Sequence, residues 1–509
     1  MASTMRMPPN RPPVSRSVGI PLRHRLTPSL ALAAAALLLA GCAVRPVGPD
    51  YQVPADAVSR QPAAGQPFAG AAAPPSSPDA ATARPYSPAP LPARWWRLFN
   101  DPALDLLVAQ ALSHNTDLRQ AAANLERVRA MEEEVAGGRR PSVGVSGGPS
   151  FGHGSGLSVL KPGDVPPSAI HYSVTGSVSY TADLFGQLQR ASEAAEAGTA
   201  AAEAGLDLAR VSVAAGTARA YAAWCANGLR LLSARKSATL QQEAVDVSQR
   251  LQEAGRAGSI DTARARSQLQ LLQASIPPLQ AERQAAMFRL ATLTGVPPRS
   301  LAVPLADCQT PPRVAGLVPV GDGAALLRRR PDVRQAEREL AAASARIGVA
   351  MADRYPKVTL GLSAGSAGLG SGFAQRDTFS WSIGPLISWT VPNTGVVDAR
   401  IVQSEAATRG AAARFDGTVL AALRETETAL SAYAHELDRN AALRASRDEA
   451  ERVSRQSRQL YQSGKVGYVD ALDAERALAN SESALAASEA QLADNQVTLF
   501  LALGGGWEP

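Results

Sequence analysis

The sequence predicts an α+β chain in which one unit, written helix, strand, strand, helix, helix (αββαα), occurs twice. Three observations carry that expectation. Blocks of matching residues recur at a nearly constant offset. Two pairs of segments alternate apolar and polar residues with a period of two. After each pair comes a long alanine-rich helical stretch, roughly residues 186–253 and 395–462.

The chain has 509 residues, 45% of them apolar, so it can bury a sizeable surface. Aromatic residues are only 5%, which favours long, closely packed helices over a thick aromatic core. The net charge of +6 is concentrated at the start. Residues 1–41 hold Arg6, Arg11, Arg16, Arg23 and Arg25 and no acid, and the remainder has 46 basic and 45 acidic residues. That balance gives no electrostatic case for nucleic-acid binding.

Residues 1–41 read as an export leader. Arg23, His24 and Arg25 precede an apolar run from Leu26 to Ala40, 15 residues and too short to span a membrane as a helix. The run ends in Leu39-Ala40-Gly41-Cys42, and small residues before a cysteine resemble the bacterial lipobox. Cys42 is the expected lipidation site, and several acyl chains make a durable anchor. Position 43 is Ala, not Asp, which by analogy with bacterial lipoproteins favours the outer membrane over retention in the inner one. The competing reading is a buried cysteine behind an ordinary signal peptide. Residues 42–94 are rich in Pro, Ala, Gly and Ser and read as a tether with little core of its own. Cys225 and Cys308 would lie in an oxidising compartment, so a disulfide between them is open, but no spacing demands one and isolated thiols are the favoured reading.

Structure is expected to begin at Trp95, Trp96 and Phe99. The first unit covers 95–304, a join covers 305–320 and the second unit covers 321–507. Asp117, Arg119, Gln120, Ala121 and Leu125 return 215 positions later as Asp332, Arg334, Gln335, Ala336 and Leu340. Leu251, Gly255, Gly258, Asp261, Ala265 and Leu269 return 209 positions later as Leu460, Gly464, Gly467, Asp470, Ala474 and Leu478. Leu290 and Gly295 return as Leu499 and Gly504. The change of offset falls in a loop, where length changes are tolerated.

Within the first unit, residues 101–137 carry apolar side chains at helical spacing and end at Gly137-Gly138. Ile170, Tyr172, Val174, Gly176, Val178 and Tyr180 then alternate with His171, Ser173, Thr175, Ser177, Ser179 and Thr181. A weaker partner strand lies near Ser142–Phe151. In the second unit Val358, Leu360 and Leu362 alternate with Thr359, Gly361 and Ser363. Phe379, Trp381, Ile383, Ile387 and Trp389 alternate with Ser380, Ser382, Gly384 and Ser388.

Each strand has about the 9–11 residues that a tilted transmembrane strand needs. One face is apolar and aromatic, the other small, polar and uncharged. The alternative is a soluble sheet with one buried face. Four strands cannot close a barrel, and an open edge is not viable in lipid. Strands that span must therefore share a barrel between chains. Two chains would give an 8-stranded barrel filled by its own side chains, so an open duct favours three chains and 12 strands. The helices would continue that barrel as an α-helical tube.

Several long runs resemble the TolC-type outer-membrane efflux channels, in their NodT/OprM-like lipoprotein branch. They are Val47-Gly48-Pro49-Asp50-Tyr51 after Cys42, Trp95-Trp96 with Phe99 and Asp101-Pro102, and Asp183-Leu184-Phe185-Gly186. The others are Leu326-Leu327 through Arg330-Pro331-Asp332-Val333-Arg334, Ala336-Glu337, Ile347-Gly348, Tyr355-Pro356, and the terminal Ala502-Leu503-Gly504-Gly505-Gly506-Trp507. The resemblance covers nearly all of the chain after the leader. It implies a homotrimer with a 12-stranded transmembrane barrel and a long periplasmic α-barrel. It also implies a periplasmic adaptor, an inner-membrane pump of the RND type, and export of drugs or small toxic compounds. The alternatives are type I protein secretion within the same family and a non-channel periplasmic lipoprotein scaffold.

The candidate functional residues follow. Tyr172, Tyr180, Phe379, Trp381 and Trp389 suit a lipid-facing aromatic girdle. Gly255 and Gly258, and Gly464 and Gly467, mark the two helical tips, where the resemblance implies adaptor docking; the plainer reading is that glycine permits the turn. Asp470 and Asp473 lie three apart on one helical face. The resemblance places them at the periplasmic gate, where a trimer would make two acidic rings. The plainer reading is a helix N-terminus that favours acids, and Arg264 replaces Asp473 in the first unit. Neither the five histidines nor any other group has metal-ligand spacing, and no phosphate loop, nucleophile elbow or catalytic carboxylate pair occurs. The expectation is a non-enzyme without cofactor or metal.

Overall fold

A computed structural model describes residues 45–72, 85–154, 163, 165–301, 308–373, 375–389 and 394–505. The chain adopts the α+β architecture the sequence predicts. The first half runs α1 (Pro102–His114), α2 (Thr116–Gly137), β1 (Ser142–Gly152), β2 (Ala169–Ala182), α3 (Gln187–Glu253), α4 (Ser259–Ala274) and α5 (Ile276–Leu293). The second runs α6 (Gly323–Arg329), α7 (Pro331–Ala352), β3 (Lys357–Leu369), β4 (Phe379–Ser388), α8 (Thr394–Gln462) and α9 (Tyr468–Ala502).

The four strands form one antiparallel sheet in the order β1-β2-β3-β4. α3 and α8 have 67 and 69 residues, about 100 Å each at 1.5 Å per residue. Each runs from the sheet to a glycine turn, and α4–α5 or α9 returns along it. Alanine is what lets these helices pack closely: Ala201, Ala204, Ala214 and Ala215 of α3 and Ala341, Ala342 and Ala345 of α7 are all buried. No helix among the described residues is long and apolar enough to cross a membrane.

The main apolar core lies midway along the long helices. Trp95 stacks on Phe500 with ring centroids 4.7 Å apart, and its Nε1 donates to the Gly505 carbonyl at 3.2 Å. Leu104, Leu107 and Val108 of α1 pack into the same cluster with Tyr221, Leu290 and Leu430. Tyr221 donates to Asp101 Oδ2 at 2.8 Å, and Asp101 Oδ1 caps α1 through Ala103 N.

Three expectations are corrected. The helix expected over 101–137 is two helices, because Asn115 starts a new one by accepting from Asp117 N and Leu118 N at 2.8 and 3.2 Å. Such a side-chain cap competes with continuous helix. Cys225 and Cys308 are joined in a disulfide rather than standing as isolated thiols. The fold brings the join between the halves onto α3, a proximity that 83 residues of separation hide. The segment read as a tether is packed over its described part. Arg190 Nε donates to Val47 O at 3.1 Å, and its Nη2 reaches Gly48 O at 3.1 Å and Asp50 Oδ1 at 2.7 Å. Tyr51 donates to Glu337 at 2.6 Å. Asp416 accepts from Val58 N, and Glu427 from Ala69 N and Gly70 N. Phe68 is buried in the main core, and Tyr86–Ser87 pairs in parallel with Val318–Pro319. The segment is thus a strap laid down the side of α7 and α8.

Candidate functional site

The sheet is built with two opposite faces. The register aligns Val143, Val145 and Phe151 of β1 with Val178, Gly176 and Ile170 of β2. It then aligns Val174, Val178 and Tyr180 with Ser366, Leu362 and Leu360 of β3, and Leu362 and Ala364 with Ile383 and Trp381 of β4. Since side chains alternate, all of these project from one face. That face is uncovered in the chain: Val143, Val145, Trp381 and Ile383 are 76%, 80%, 67% and 72% exposed. The opposite face carries Ser142, Ser146, Ser173, Thr175, Ser177, Thr359, Ser363, Ser380 and Ser382, and no acid. Among the described residues β1 pairs only with β2 and β4 only with β3, so both edges are open within one chain.

The aromatic candidates lie at two levels of the apolar face. Tyr180 sits near the helix end of the sheet, and Trp389 follows β4 there, donating through Nε1 to Arg354 O at 3.2 Å. Tyr172, Phe379 and Trp381 sit towards the far end. Tyr172 donates to Thr378 Oγ1 at 2.9 Å and packs on Phe373. Phe379 to Trp389 is ten residues, about 34 Å of strand. A tilt of about 40° reduces this to a height of about 26 Å, close to the apolar band of an outer-membrane barrel.

At the other end of the long helices, the two glycine turns have the same construction. Gly255 and Gly464 have φ of +69° and +70°, a left-handed conformation that glycine adopts at little cost. Arg256 N donates to Leu251 O at 2.8 Å, and Lys465 N to Leu460 O at 2.9 Å, each closing a helix with a six-to-one bond. Gly258 and Gly467 are the N-caps of α4 and α9. A side chain at Gly255, Gly258 or Gly464 would meet nothing within 4 Å, so the tip backbone is accessible. Beneath the tips Ala238, Val245, Ala265, Leu269, Tyr461, Tyr468, Ala471 and Leu472 form a second core that holds both hairpins together.

Asp470 and Asp473 are exposed on α9, on the same turns as core residues Tyr468, Ala471 and Leu472 but facing away from that core. Asp470 lies in the first turn of the helix, and Asp473 is 3.8 Å from Arg476. On the opposite side of α9, Glu475 is nearly buried and accepts from Arg458 Nε at 3.3 Å. Burial outweighs that arginine and holds the Glu475 carboxyl above the ordinary range. In the first half Asp261 and Arg264 form an ion pair of 3.7 Å, so the equivalent position is charge-neutral. No group of three or more metal-ligating side chains occurs among the described residues. Cys42 lies outside the described residues.

Sequence reasoning missed the Arg190 clasp on the strap. Its one visible signal was the Val47-Gly48-Pro49-Asp50-Tyr51 run, every member of which except Pro49 contributes a contact to α3 or α7 or to the turn before α3. Val47 N, for instance, donates to Phe185 O at 3.1 Å.

Comparison with known proteins gives one consistent picture. The chain matches the family described as outer membrane efflux protein in two blocks, residues 107–296 and 324–505. It is 30% identical over 490 residues to the solvent efflux pump outer membrane protein SrpC of Pseudomonas putida, covering 93% of this chain and 97% of SrpC. It is 29% identical to nodulation protein T of Rhizobium leguminosarum bv. viciae, covering 81% and 84%. Among solved structures, the outer-membrane channel OprN superposes with a TM-score of 0.82 at 34% identity, covering 91% of this chain and all of OprN. The open state of the MtrE outer membrane channel of Neisseria gonorrhoeae superposes at 0.75 with 26% identity, covering 91% and 99%.

Proposed function

The chain belongs to the outer membrane efflux protein family, and from that premise we propose that it is the exit duct of a tripartite efflux system. The observation that carries this reading is the sheet: four strands, both edges open, one face predominantly apolar with its large side chains exposed. In lipid, every edge must be paired. Three copies joined β4 to β1 close a 12-stranded barrel, with the apolar face towards lipid and the serine and threonine face towards a wet lumen. The paired aromatic levels, Tyr180 with Trp389 and Tyr172 with Phe379 and Trp381, then sit at the two interfaces. The long helices continue the duct into the periplasm.

The remaining parts take roles by position. Cys42, lipidated, anchors the chain. The tips at Gly255, Gly258, Gly464 and Gly467 offer accessible backbone to a periplasmic adaptor, behind which an inner-membrane pump, of the RND type, supplies the energy. Asp470 and Asp473 form two acidic rings at the periplasmic mouth, holding or repelling ions as fixed charge. Asp473 is replaced by an arginine in the first half, which supports a role particular to the second hairpin. The cargo is drugs or small toxic compounds, for which a lumen lined largely by serine and threonine is permissive.

The test is the purified protein in detergent, its particle mass, and its single-channel conductance in a planar bilayer beside Asp470→Asn/Asp473→Asn. The expected result is a trimer of low conductance whose conductance or cation preference changes when the acids are removed. A monomer silent under every condition would overturn the duct. An unchanged conductance would leave the duct and reduce the two acids to helix-end charges.

A further inference from the structure

Each half contains one unbroken long helix and one return path that is broken. From the first tip, α4 and α5 lead back to Leu293, and α2 then continues towards the sheet. From the second tip, α9 leads back to Ala502, and α7 continues. The chain does not connect α5 to α2 or α9 to α7, and side-chain hydrogen bonds bridge each joint; at the second, Ala502 O also accepts from Thr426 Oγ1 of α8 at 3.3 Å.

The two joints are the same joint. At the first, Asn115 Nδ2 donates to Leu293 O at 2.9 Å while its Oδ1 caps α2. At the second, Arg330 Nη1 donates to Ala502 O at 2.9 Å while its Nε and Nη2 hold Asp332 in the first turn of α7 at 3.0 and 2.6 Å. Arg330 stands 215 positions after Asn115, and Ala502 stands 209 after Leu293, the two offsets of the internal repeat. Asn115 is 2% exposed and Arg330 8%. The lower helices also end alike: Gly295 and Gly504 have φ of +71° and +68°. A Cβ on Gly504 would lie 2.7 Å from Arg330 Cγ, and one on Gly295 would collide with the His114 carbonyl. Gly504 is pressed against Arg330 itself, and Gly295 against the residue just before Asn115. The joints differ in charge. Asn115 is neutral, whereas Arg330 also donates to Glu425 Oε2 on α8 at 2.9 Å.

We propose that Asn115 and Arg330 are matched splice residues, each joining a tip-side helix to a sheet-side helix, and that Arg330 positions the acid-bearing helix α9 against the barrel. The first clause stands on geometry alone; the second rests on the duct reading. A buried amide or guanidinium can satisfy the end carbonyl of one helix and the start of the next together, which no apolar residue can do. The charged splice reaches three helices, α7, α8 and α9, and so sets the rotation of the helix that carries Asp470 and Asp473.

Spin-label distances in the full trimer test the splice. One label pair, at Gln491 on α9 and Arg346 on α7, spans the second joint. Another, at Gln284 on α5 and Glu126 on α2, spans the first. Asn115→Asp keeps the α2 cap and loses the donor to Leu293 O. Arg330→Met keeps the stem and loses every bond. Each is expected to at least double the width of the distance distribution across its own joint and leave the other unchanged. Arg330→Met alone is expected to raise closed-channel conductance several-fold. Unchanged widths, or broadening of both joints by either variant, would overturn the splice. Broadening with unchanged conductance would overturn the positioning of α9. If Arg330→Met does not assemble, Gly504→Ala must broaden the second joint alone, or the proposal fails. A wild type that never conducts would sink the duct reading and leave the distance test of the splice intact.

Discussion

Placing an arginine on either face of β4 separates the lipid-facing sheet from a soluble one. Ile383 and Ser382 are neighbours that project to opposite faces, aligned with Leu362 and Ser363 of β3. Ile383 is four residues from Phe379 and six from Trp389, about 14 and 20 Å along the strand. With strand tilt it lies close to the middle of the apolar band. Arginine on the lipid face at that depth costs about 2–4 kcal/mol per chain, which is about 30- to 1,000-fold in the folding equilibrium. Arginine at position 382 would enter a wet lumen, where the strand keeps its pairing and loses little beyond the Ser363–Ser382 contact of 2.8 Å. The assay is folding into phosphatidylcholine vesicles against denaturant, followed by trimer yield. Ile383→Arg is expected to lower the midpoint strongly and Ser382→Arg slightly. If Ser382→Arg were the more damaging of the two, the lipid and lumen faces would be exchanged, and the barrel argument would fail with them.

Three further expectations concern parts outside the membrane. Arg190→Ala removes a guanidinium that is 5% exposed and bound to two carbonyls and two carboxylates. Because Asp50 is largely exposed, the loss is about 2 kcal/mol rather than the full cost of a buried pair, and it should appear as earlier proteolysis of the strap at unchanged trimer mass. Cys308→Ser removes a cross-link between residues 83 apart and should cost about 2–4 kcal/mol, with the wild type falling to the same thermal midpoint in a dithiol reductant. Glu475 is held above the ordinary carboxylate range by burial. Its folded form therefore binds the proton more tightly than the unfolded chain does, so its contribution is present in acid and is lost as pH rises through the raised pKa. Glu475→Gln should gain thermal stability on the wild type as pH rises towards neutrality and match it in acid; a gain in acid alone would show the sign to be wrong.

Much of this was legible because it depends on spacing. Period-two alternation in Ile170–Tyr180 and Phe379–Trp389 assigned side chains to faces, and the register kept those assignments through Ser388. The glycines of the tips were visible because a left-handed residue at a helix end has few substitutes. What stayed hidden depends on residues far apart in the chain. Arg190 meets Asp50 across 140 positions, Tyr51 meets Glu337 across 286, and Glu427 meets Ala69 across 358. Proline and alanine between 42 and 94 do describe a chain without a core of its own, but composition says nothing of a neighbouring surface that can lend one. Asn115 was hidden for a different reason: within a run of apolar residues at helical spacing, a single capping side chain changes the element without breaking the pattern.

The repeat also shows how a doubled unit acquires two different halves. Pro277 and Pro278 stand near the start of α5, just past the break at Ser275, and positions 209 later hold Ala486 and Ala487 inside the unbroken α9. Proline at the first turn of a helix is tolerated and in its interior is not, so the first return path is two helices and the second is one rigid rod of 35 residues. The same half that gains the unbroken rod also gains Asp473 in place of Arg264, and Arg330 in place of Asn115. A rod transmits rotation along its length better than a path broken at Ser275, and a splice with charge-assisted bonds to Asp332 and Glu425 holds that rotation more firmly than one neutral amide. Stiffness, acidic charge and the stronger joint therefore fall on one helix. That coincidence is expected if the second hairpin sets the width of the periplasmic mouth while the first supports it.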